Sequence, residues 1–199
     1  METTQTNLLW AVRDAANGDA WISFYRIYAT MVRQFVRRLG LPDAESDDVT
    51  QEVLLVAHKS LQHGTYDPTK GRFRSWLFGV ARRQSLAAMR ERQRRTRVQR
   101  VTQDTGDDLL DILADKHAEE TARNLWEREW RYALLEEALR HAEAGIGTKA
   151  MQAFTLHAIQ NQSAECVAEQ LGITPASVYV YKGRVLAAIQ EWTRRFEGD

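Results

Sequence analysis

Residues 71–100, GRFRSWLFGVARRQSLAAMRERQRRTRVQR, decide how the chain is interpreted, because they hold ten arginines and a single acid, Glu91. Aromatic rings at Phe73, Trp76 and Phe78 stand in the first turns of the same stretch. A merely solvated helix has no need of these rings, and a fully buried helix could not carry this charge. The stretch therefore predicts a helix with a polyanionic partner.

Helical geometry separates the two kinds of side chain in this stretch. With an advance of 100° per residue, a row of arginines lies within about 60° of Trp76. The row consists of Arg83, Arg90, Arg94 and Arg97, and a neighbouring stripe that can face a core consists of Phe73, Leu77, Val80, Ala81 and Ala88. Arginines follow phosphates, and a ring at their edge can stack on or wedge between bases. The alternatives are a solubilising face for the arginines and core packing for Trp76 and Phe73.

The composition indicates an all-α protein. The chain of 199 residues has three prolines and eleven glycines, and helix formers such as Leu, Ala, Glu, Gln and Arg are abundant. One cysteine, Cys166, excludes an internal disulfide and a cysteine-based zinc site. Histidine spacing, glycine loops and carboxylate pairs suggest no metal, phosphate-loop or acid–base site. We therefore expect no enzyme activity, catalytic residue, metal or cofactor, and with no signal peptide or membrane segment we expect a cytoplasmic protein.

Charge divides the chain into two halves. Residues 1–100 carry 17 Lys and Arg against 10 Asp and Glu, a net charge of +7, and residues 101–199 carry the inverse, −7. Residues 98–121 are rich in acids and predict a linker with at most a short helical turn. We expect two small helical domains joined by this acidic linker, over residues 1–97 and 122–199, with a long helix spanning about 122–143.

A helix-turn-helix is the most specific local pattern near the end of the chain. Gly172 suits the tight C-terminal cap of a first helix, and Thr174 can cap a second helix that starts at Pro175. The spacing of Ala168, Gly172 and Val178 is that of DNA-binding helix-turn-helix units, although an ordinary helical hairpin is the alternative. The second helix is predicted to bury Val178, Val185, Leu186 and Ile189. It is predicted to expose Ala176, Ser177, Tyr179, Val180, Tyr181, Lys182 and Arg184.

A third feature is the acidic helix that starts near residue 43. Asp47, Asp48, Gln51 and Glu52 fall on one polar face. This face predicts either a solvated helix start or a docking surface for a basic protein.

The order of DDVTQEV (47–53), RFRSWLFGVARRQSLAAMRERQRR (72–95) and a C-terminal helix-turn-helix resembles the extracytoplasmic-function sigma factors of the sigma-70 family. The resemblance implies an initiation factor that binds core RNA polymerase, directs it to specific promoters and assists promoter melting. Promoter DNA and the polymerase core would be its partners, and an anti-sigma protein often restrains members of this family. The other interpretation is a helix-turn-helix regulator that acts without sigma activity.

The resemblance also implies roles for individual residues. The residues implied to bind RNA polymerase are Asp47, Asp48, Gln51 and Glu52. Recognition and melting of the minus-10 element fall to Tyr66, Lys70, Arg72, Arg74, Trp76, Arg82, Arg83, Arg90 and Arg94. Contacts with the minus-35 element fall to Thr174, Ala176, Ser177, Tyr179, Tyr181, Lys182 and Arg184. The acidic linker resembles the connector that runs toward the polymerase active-site cleft.

Overall fold

The computed structural model describes Leu9, Val12 and residues 18–99 and 116–194, and every described element is helical. The seven helices of this described part are α1 (Gly18–Arg38), α2 (Asp43–Gln62), α3 (Phe73–Gln99), α4 (Lys116–Ile146), α5 (Thr148–Phe154), α6 (Ala164–Leu171) and α7 (Pro175–Arg194). A short 3-10 turn, Pro68–Lys70, precedes α3, and a π-helical turn, Thr155–Ile159, continues α5. The expectation of an all-α fold is confirmed.

The chain forms two compact units that divide between Ala133 and Leu134. This point is later than the start of the second domain that the sequence predicts, at residue 122. α4 contributes its residues up to Ala133 to the first unit and the rest to the second. Residues 100–115, most of the predicted acidic linker, lie outside the described part of the chain, as does the helical turn predicted within them.

Periodic apolar residues build the first unit. In α1, Phe24, Ile27, Tyr28, Met31 and Phe35 are all buried, as their spacing of three and four residues predicts. Arg37 pairs with Asp43 and Arg33 pairs with Asp47, which shows that α1 and α2 run antiparallel. Between the two helices Gly40 takes a φ of 97°, which favours glycine, and Pro42 precedes the first residue of α2.

The start of α4 completes the core of the first unit. Trp126 is 1% exposed, with its ring centroid 5.1 Å from that of Phe35 and 5.7 Å from that of Phe78. Trp130 is 4% exposed and lies 5.6 Å from the ring of Tyr28. These contacts are the physical reason that the first unit extends to Ala133, and the sequence expectation had left both tryptophans out of it.

The second unit contains the helix-turn-helix. Ala153, Ala164, Val167, Ala168 and Val178 form its core cluster. Gly172 ends α6 with φ 60° and ψ 50°, the left-handed conformation that was expected there. At the start of α7, the Ser177 amide donates to the Thr174 hydroxyl oxygen at 3.2 Å, so the predicted cap is confirmed.

Two expectations for the faces of α7 are wrong. Tyr181 was expected on the exposed face but is half-buried against the core cluster, because it follows Val178 by three residues and precedes Val185 by four. Leu186 was expected in the core but is 40% exposed, because the neighbouring Val185 takes the inward position. Val178, Val185 and Ile189 pack inward as predicted.

Candidate nucleic-acid and protein interfaces

The outer face of α3 carries the arginine row. Arg83, Arg90 and Arg94 are exposed, and Trp76 is half-buried at the edge of the row. Arg94 is 74% exposed, although it lies 2.6 Å from Glu91, an exposed pair that water and salt screen effectively. This face can bind phosphates with little cost in broken contacts. The side chain of Arg97, which the helical count adds to the row, lies outside the described residues.

Trp76 is held by two other rings rather than by the deep core. Its centroid lies 5.5 Å from that of Tyr66 and 5.5 Å from that of Phe73. The Tyr66 hydroxyl donates to the carbonyl oxygen of Gly71 at 3.0 Å, which fixes the loop against the start of α3. Phe73 is 1% exposed, so this ring packs in the core rather than facing nucleic acid. Trp76 keeps an accessible edge beside the arginines.

The loop before α3 presents two cations. Lys70 and Arg72 are exposed on either side of Gly71, whose φ of 147° favours glycine. Asp67 caps the 3-10 turn by accepting hydrogen bonds from the amide and the hydroxyl of Thr69, and these bonds lower the pKa of its carboxyl. The loop is therefore built by local hydrogen bonds that leave Lys70 and Arg72 accessible.

Arg74 and Arg82 are separated from the rest of the predicted set. Both face α4 instead of the outer side of α3. Nη1 of Arg74 lies 3.1 Å from Oε2 of Glu127, and its side chain is only 11% exposed. Nη1 of Arg82 lies 3.7 Å from Oε2 of Glu119. The structure thus brings Trp76, Arg83, Arg90 and Arg94 together on one face and places these two arginines elsewhere.

The acidic face of α2 is accessible at three of its four predicted positions. Asp48, Gln51 and Glu52 are exposed. Asp47 instead accepts two hydrogen bonds from Arg33 of α1, and these bonds hold the pKa of its carboxyl below its usual range. Asp47 consequently links α1 to α2 and keeps about half of its side chain exposed.

Asp48 and Glu52 also line a groove between α2 and α3 with a volume of about 390 Å³. Arg92, Arg94 and Arg95 form its opposite wall. The wall from α2 is therefore acidic, and the wall from α3 carries three arginines beside Glu91, so the two charged surfaces of the first unit meet along this groove.

The exposed surface of α7 is mixed in polarity. Thr174, Ala176, Tyr179 and Arg184 are exposed, whereas Ser177 and Lys182 are partly buried. The Ser177 hydroxyl lies 2.8 Å from that of Thr174, so both hydroxyl groups are engaged at the helix start. The ring of Tyr179 lies 5.3 Å from that of His157. Val180, which is 58% exposed, adds an apolar position to the surface.

Sequence reasoning missed the groups that face the predicted site from other helices. Arg33 orients Asp47, and Glu119 and Glu127 engage two arginines of α3. The only local signal is the matching interval: the two arginines lie eight residues apart, and so do the two glutamates. Such a match suggests facing helices but does not identify which helices pair.

The described residues contain no group of three or more His, Cys, Asp or Glu side chains arranged to hold a metal ion. None of the helices in these ranges is long and apolar enough to cross a membrane.

Comparison with known families gives one match. Residues 24–95 match the family model for sigma-70 region 2. The matched stretch runs from Phe24 in α1 to Arg95 in α3 and contains the acidic face, the loop and the arginine row. The match covers about a third of the chain and shows that this part is similar to sigma-70 region 2. Neither a curated protein nor a solved structure matches the chain.

Proposed function

We propose that the protein is an alternative sigma factor of the extracytoplasmic-function type. It binds core RNA polymerase, directs the enzyme to a subset of promoters and assists strand opening, without catalytic chemistry of its own. The observation that carries this proposal is the coincidence of the sigma-70 region 2 match, residues 24–95, with a helix that exposes arginines beside a half-buried tryptophan. This role places the protein in the cytoplasm.

In this proposal the polymerase binds the acidic face of α2. Asp48, Gln51 and Glu52 are exposed and are therefore the side chains that a basic protein surface meets first. Asp47 contributes its remaining exposed edge while Arg33 fixes its orientation. Charge complementarity at such a surface raises the association rate and favours the correct partner.

The loop and the outer face of α3 bind the minus-10 element. Lys70, Arg72 and Arg83 contact phosphates, and Arg90 and Arg94 extend the row along the strand. Trp76 stacks on a base that leaves the duplex, an interaction typically worth about 1–3 kcal/mol, which offsets much of the cost of unpairing. Tyr66 supports Trp76 from the loop side.

The helix-turn-helix of the second unit binds the minus-35 element in the major groove. The first residues of α7 are those that reach base edges in this motif, which points to Ala176 and Tyr179, while Lys182 and Arg184 contact phosphates. The modest positive charge of α7 means that this unit contributes less affinity than α3. An anti-sigma protein is a further proposed partner.

Transcription with purified components tests the proposal. The full chain mixed with core RNA polymerase is expected to yield promoter-dependent run-off transcripts on genomic fragments, and core enzyme alone is expected to yield none. A conventional helix-turn-helix regulator would bind duplex DNA tightly by itself and give no transcripts with the core. That result would overturn the proposal.

Charge reversal tests the docking surface separately. Asp48→Lys is expected to reduce capture of the chain by immobilised core polymerase at least tenfold, because it puts a like charge against a basic partner. Glu120→Lys makes the same charge change on an exposed residue of α4 and serves as the control. If core polymerase captured both variants equally well, α2 would not be the docking surface.

A further inference from the structure

Two rows of side chains, one on α3 and one on α4, face each other at intervals of four residues. Residues with higher numbers on α3 face residues with lower numbers on α4, so the two helices pack antiparallel. The facing pairs are Arg74 with Glu127, Phe78 with Arg123, and Arg82 with Glu119.

Each pair is a specific contact. The Arg74 guanidinium lies 3.1 Å from Glu127 and 4.8 Å from the centre of the Trp130 ring. That of Arg123 lies 4.9 Å from the centre of the Phe78 ring. Arg82 lies 3.7 Å from Glu119 and remains 25% exposed, so it is the looser of the two ion pairs.

Buried aromatic anchors keep the two carboxylates in place. Trp126 and Trp130 are 1% and 4% exposed. On the same helix, Trp126 directly precedes Glu127, and Trp130 follows Glu127 by three residues. The carboxylates therefore face α3 as a consequence of core packing, before any nucleic acid arrives. Carboxylate and phosphate present the same kind of oxygen acceptors to a guanidinium, so both compete for the same donors.

We propose that Glu119 occupies Arg82 in place of a DNA phosphate, so that the free protein withholds part of its affinity for opened DNA, while Glu127 holds the covered Arg74 against α4. This inference rests on the proposed function, because it takes α3 as the DNA-binding helix. Arg83, Arg90 and Arg94 stay open on the outer face and make the first contacts. Phosphates then displace Glu119 from Arg82 by side-chain rotation, and α4 stays packed on its tryptophans.

Neutralising the two carboxylates tests this competition. Glu119→Gln/Glu127→Gln keeps the shape of both side chains and removes the carboxylate charge that engages Arg82, whereas Arg74 stays covered by α4 and Trp130. The control, Glu136→Gln/Glu143→Gln, makes the same change in net charge farther along α4, where Glu136 pairs with Arg140. The probe is a 20-nucleotide oligo(dT), and its affinity for each full-length protein is measured over a range of salt concentrations.

The first double variant is expected to bind oligo(dT) several-fold more tightly than wild type at low salt. The salt slope is expected to steepen by about 0.7, because Arg82 gains one phosphate contact and each such contact on a single strand adds roughly 0.7. The control is expected to change affinity through general electrostatics alone, without a steeper slope. A purely structural role for the ion pairs predicts lower stability with no gain in affinity, and that result overturns the proposal.

A second variant guards against loss of folding. Glu119→Gln alone leaves the Arg74–Glu127 pair intact and removes the charged contacts of Glu119 with Arg82 and Arg123. It is expected to steepen the slope by about 0.7 while circular dichroism shows unchanged helix content and melting. An unchanged slope in this folded variant also overturns the proposal. Transcription by wild-type protein with core polymerase is measured in parallel: absence of transcripts refutes the proposed function, whereas transcripts without tighter oligo(dT) binding refute only the competition.

Discussion

Trp76 has two environments at the scale of a single residue. The ring packs on Tyr66 and Phe73, at centroid distances of 5.5 Å each, and keeps partial exposure on the face of α3 that also carries the exposed arginines. A ring that is half-buried in this way is already oriented, so little side-chain entropy is lost when a base stacks on it. Phe73, at 1% exposure, cannot perform the same task without unfolding the helix start.

Replacing Trp76 should affect strand opening more than promoter binding. Trp76→Ala is expected to slow formation of the open complex roughly tenfold, because one stacked base contributes about 1–3 kcal/mol. Initial binding to the closed duplex should change less than about twofold, and a premelted template should restore activity. The exposed neighbour Ser75→Ala is the control. An equal defect on premelted and duplex templates would refute the stacking role.

The Arg33–Asp47 pair makes the stability of the first unit depend on pH. Its two hydrogen bonds lower the pKa of Asp47 in the folded state below the unfolded value of about 3.9. A lowered folded pKa stabilises the protein above the unfolded pKa, and this contribution disappears as the pH falls through the folded pKa. Asp47→Asn should therefore lower the urea midpoint at pH 7, with the difference vanishing in strong acid.

Urea titrations of wild type, Asp47→Asn and Asp48→Asn at several pH values measure this dependence. Asp48 is the matched control, because it is the next residue on α2 and is exposed. A midpoint difference for Asp47→Asn that persists unchanged to strong acid would show that the carboxylate charge is not its cause.

At the scale of elements, the turn between α6 and α7 is set by backbone geometry. Gly172 has a φ of 60°, and a Cβ built there meets nothing within 4 Å. Gly183, inside α7, is helical and also has nothing within 4 Å of such a Cβ. The same substitution at these two glycines therefore measures the effect of backbone conformation on the free energy of unfolding, because neither new side chain would collide with a neighbour.

Alanine should act with opposite signs at the two positions. Gly172→Ala is expected to destabilise the second unit by about 1–2 kcal/mol, the cost of a left-handed conformation for a residue with a Cβ. Gly183→Ala is expected to stabilise it by about 0.5–1 kcal/mol, the difference between the two residues inside a helix. Hydrogen exchange of the amides from Val178 to Val185 measures both changes. Shifts of the same sign would contradict this account.

The sequence predicts these helices and caps well because each depends on residues that are close together in the chain. The stripe of Phe24, Ile27 and Met31 on α1, and the caps at Gly172 and Thr174, follow from residues within a few positions of one another. The prediction is wrong for Tyr181, which lies on the same inward face as Val178 and Val185, and for Leu186, whose inward position is taken by the neighbouring Val185. The packing of α4 on α1 and α3 joins residues more than 35 positions apart, and periodicity does not identify such partners.

At the scale of the whole molecule, the division into units differs from the division by charge. Composition changes near residue 100, whereas the first compact unit extends to Ala133 because Trp126 and Trp130 fill its core. The acids Glu119 and Glu127 thus belong to the same unit as the basic helix that they face. The net charge of +7 for residues 1–100 therefore overstates the net positive charge of the first unit.

Truncation at the two alternative boundaries tests this division. A fragment of residues 1–133 is expected to unfold cooperatively, whereas a fragment of residues 1–97, the boundary that the sequence predicts, should be largely unfolded or aggregated. Losing two tryptophans that bury roughly 150–250 Å² each removes about 4–6 kcal/mol per ring, which approaches the entire stability of a typical domain, about 5–15 kcal/mol. Far-UV circular dichroism during thermal and urea unfolding distinguishes the fragments. A cooperative transition in the shorter fragment, at the midpoint of the longer one, would show that α4 is not part of the core.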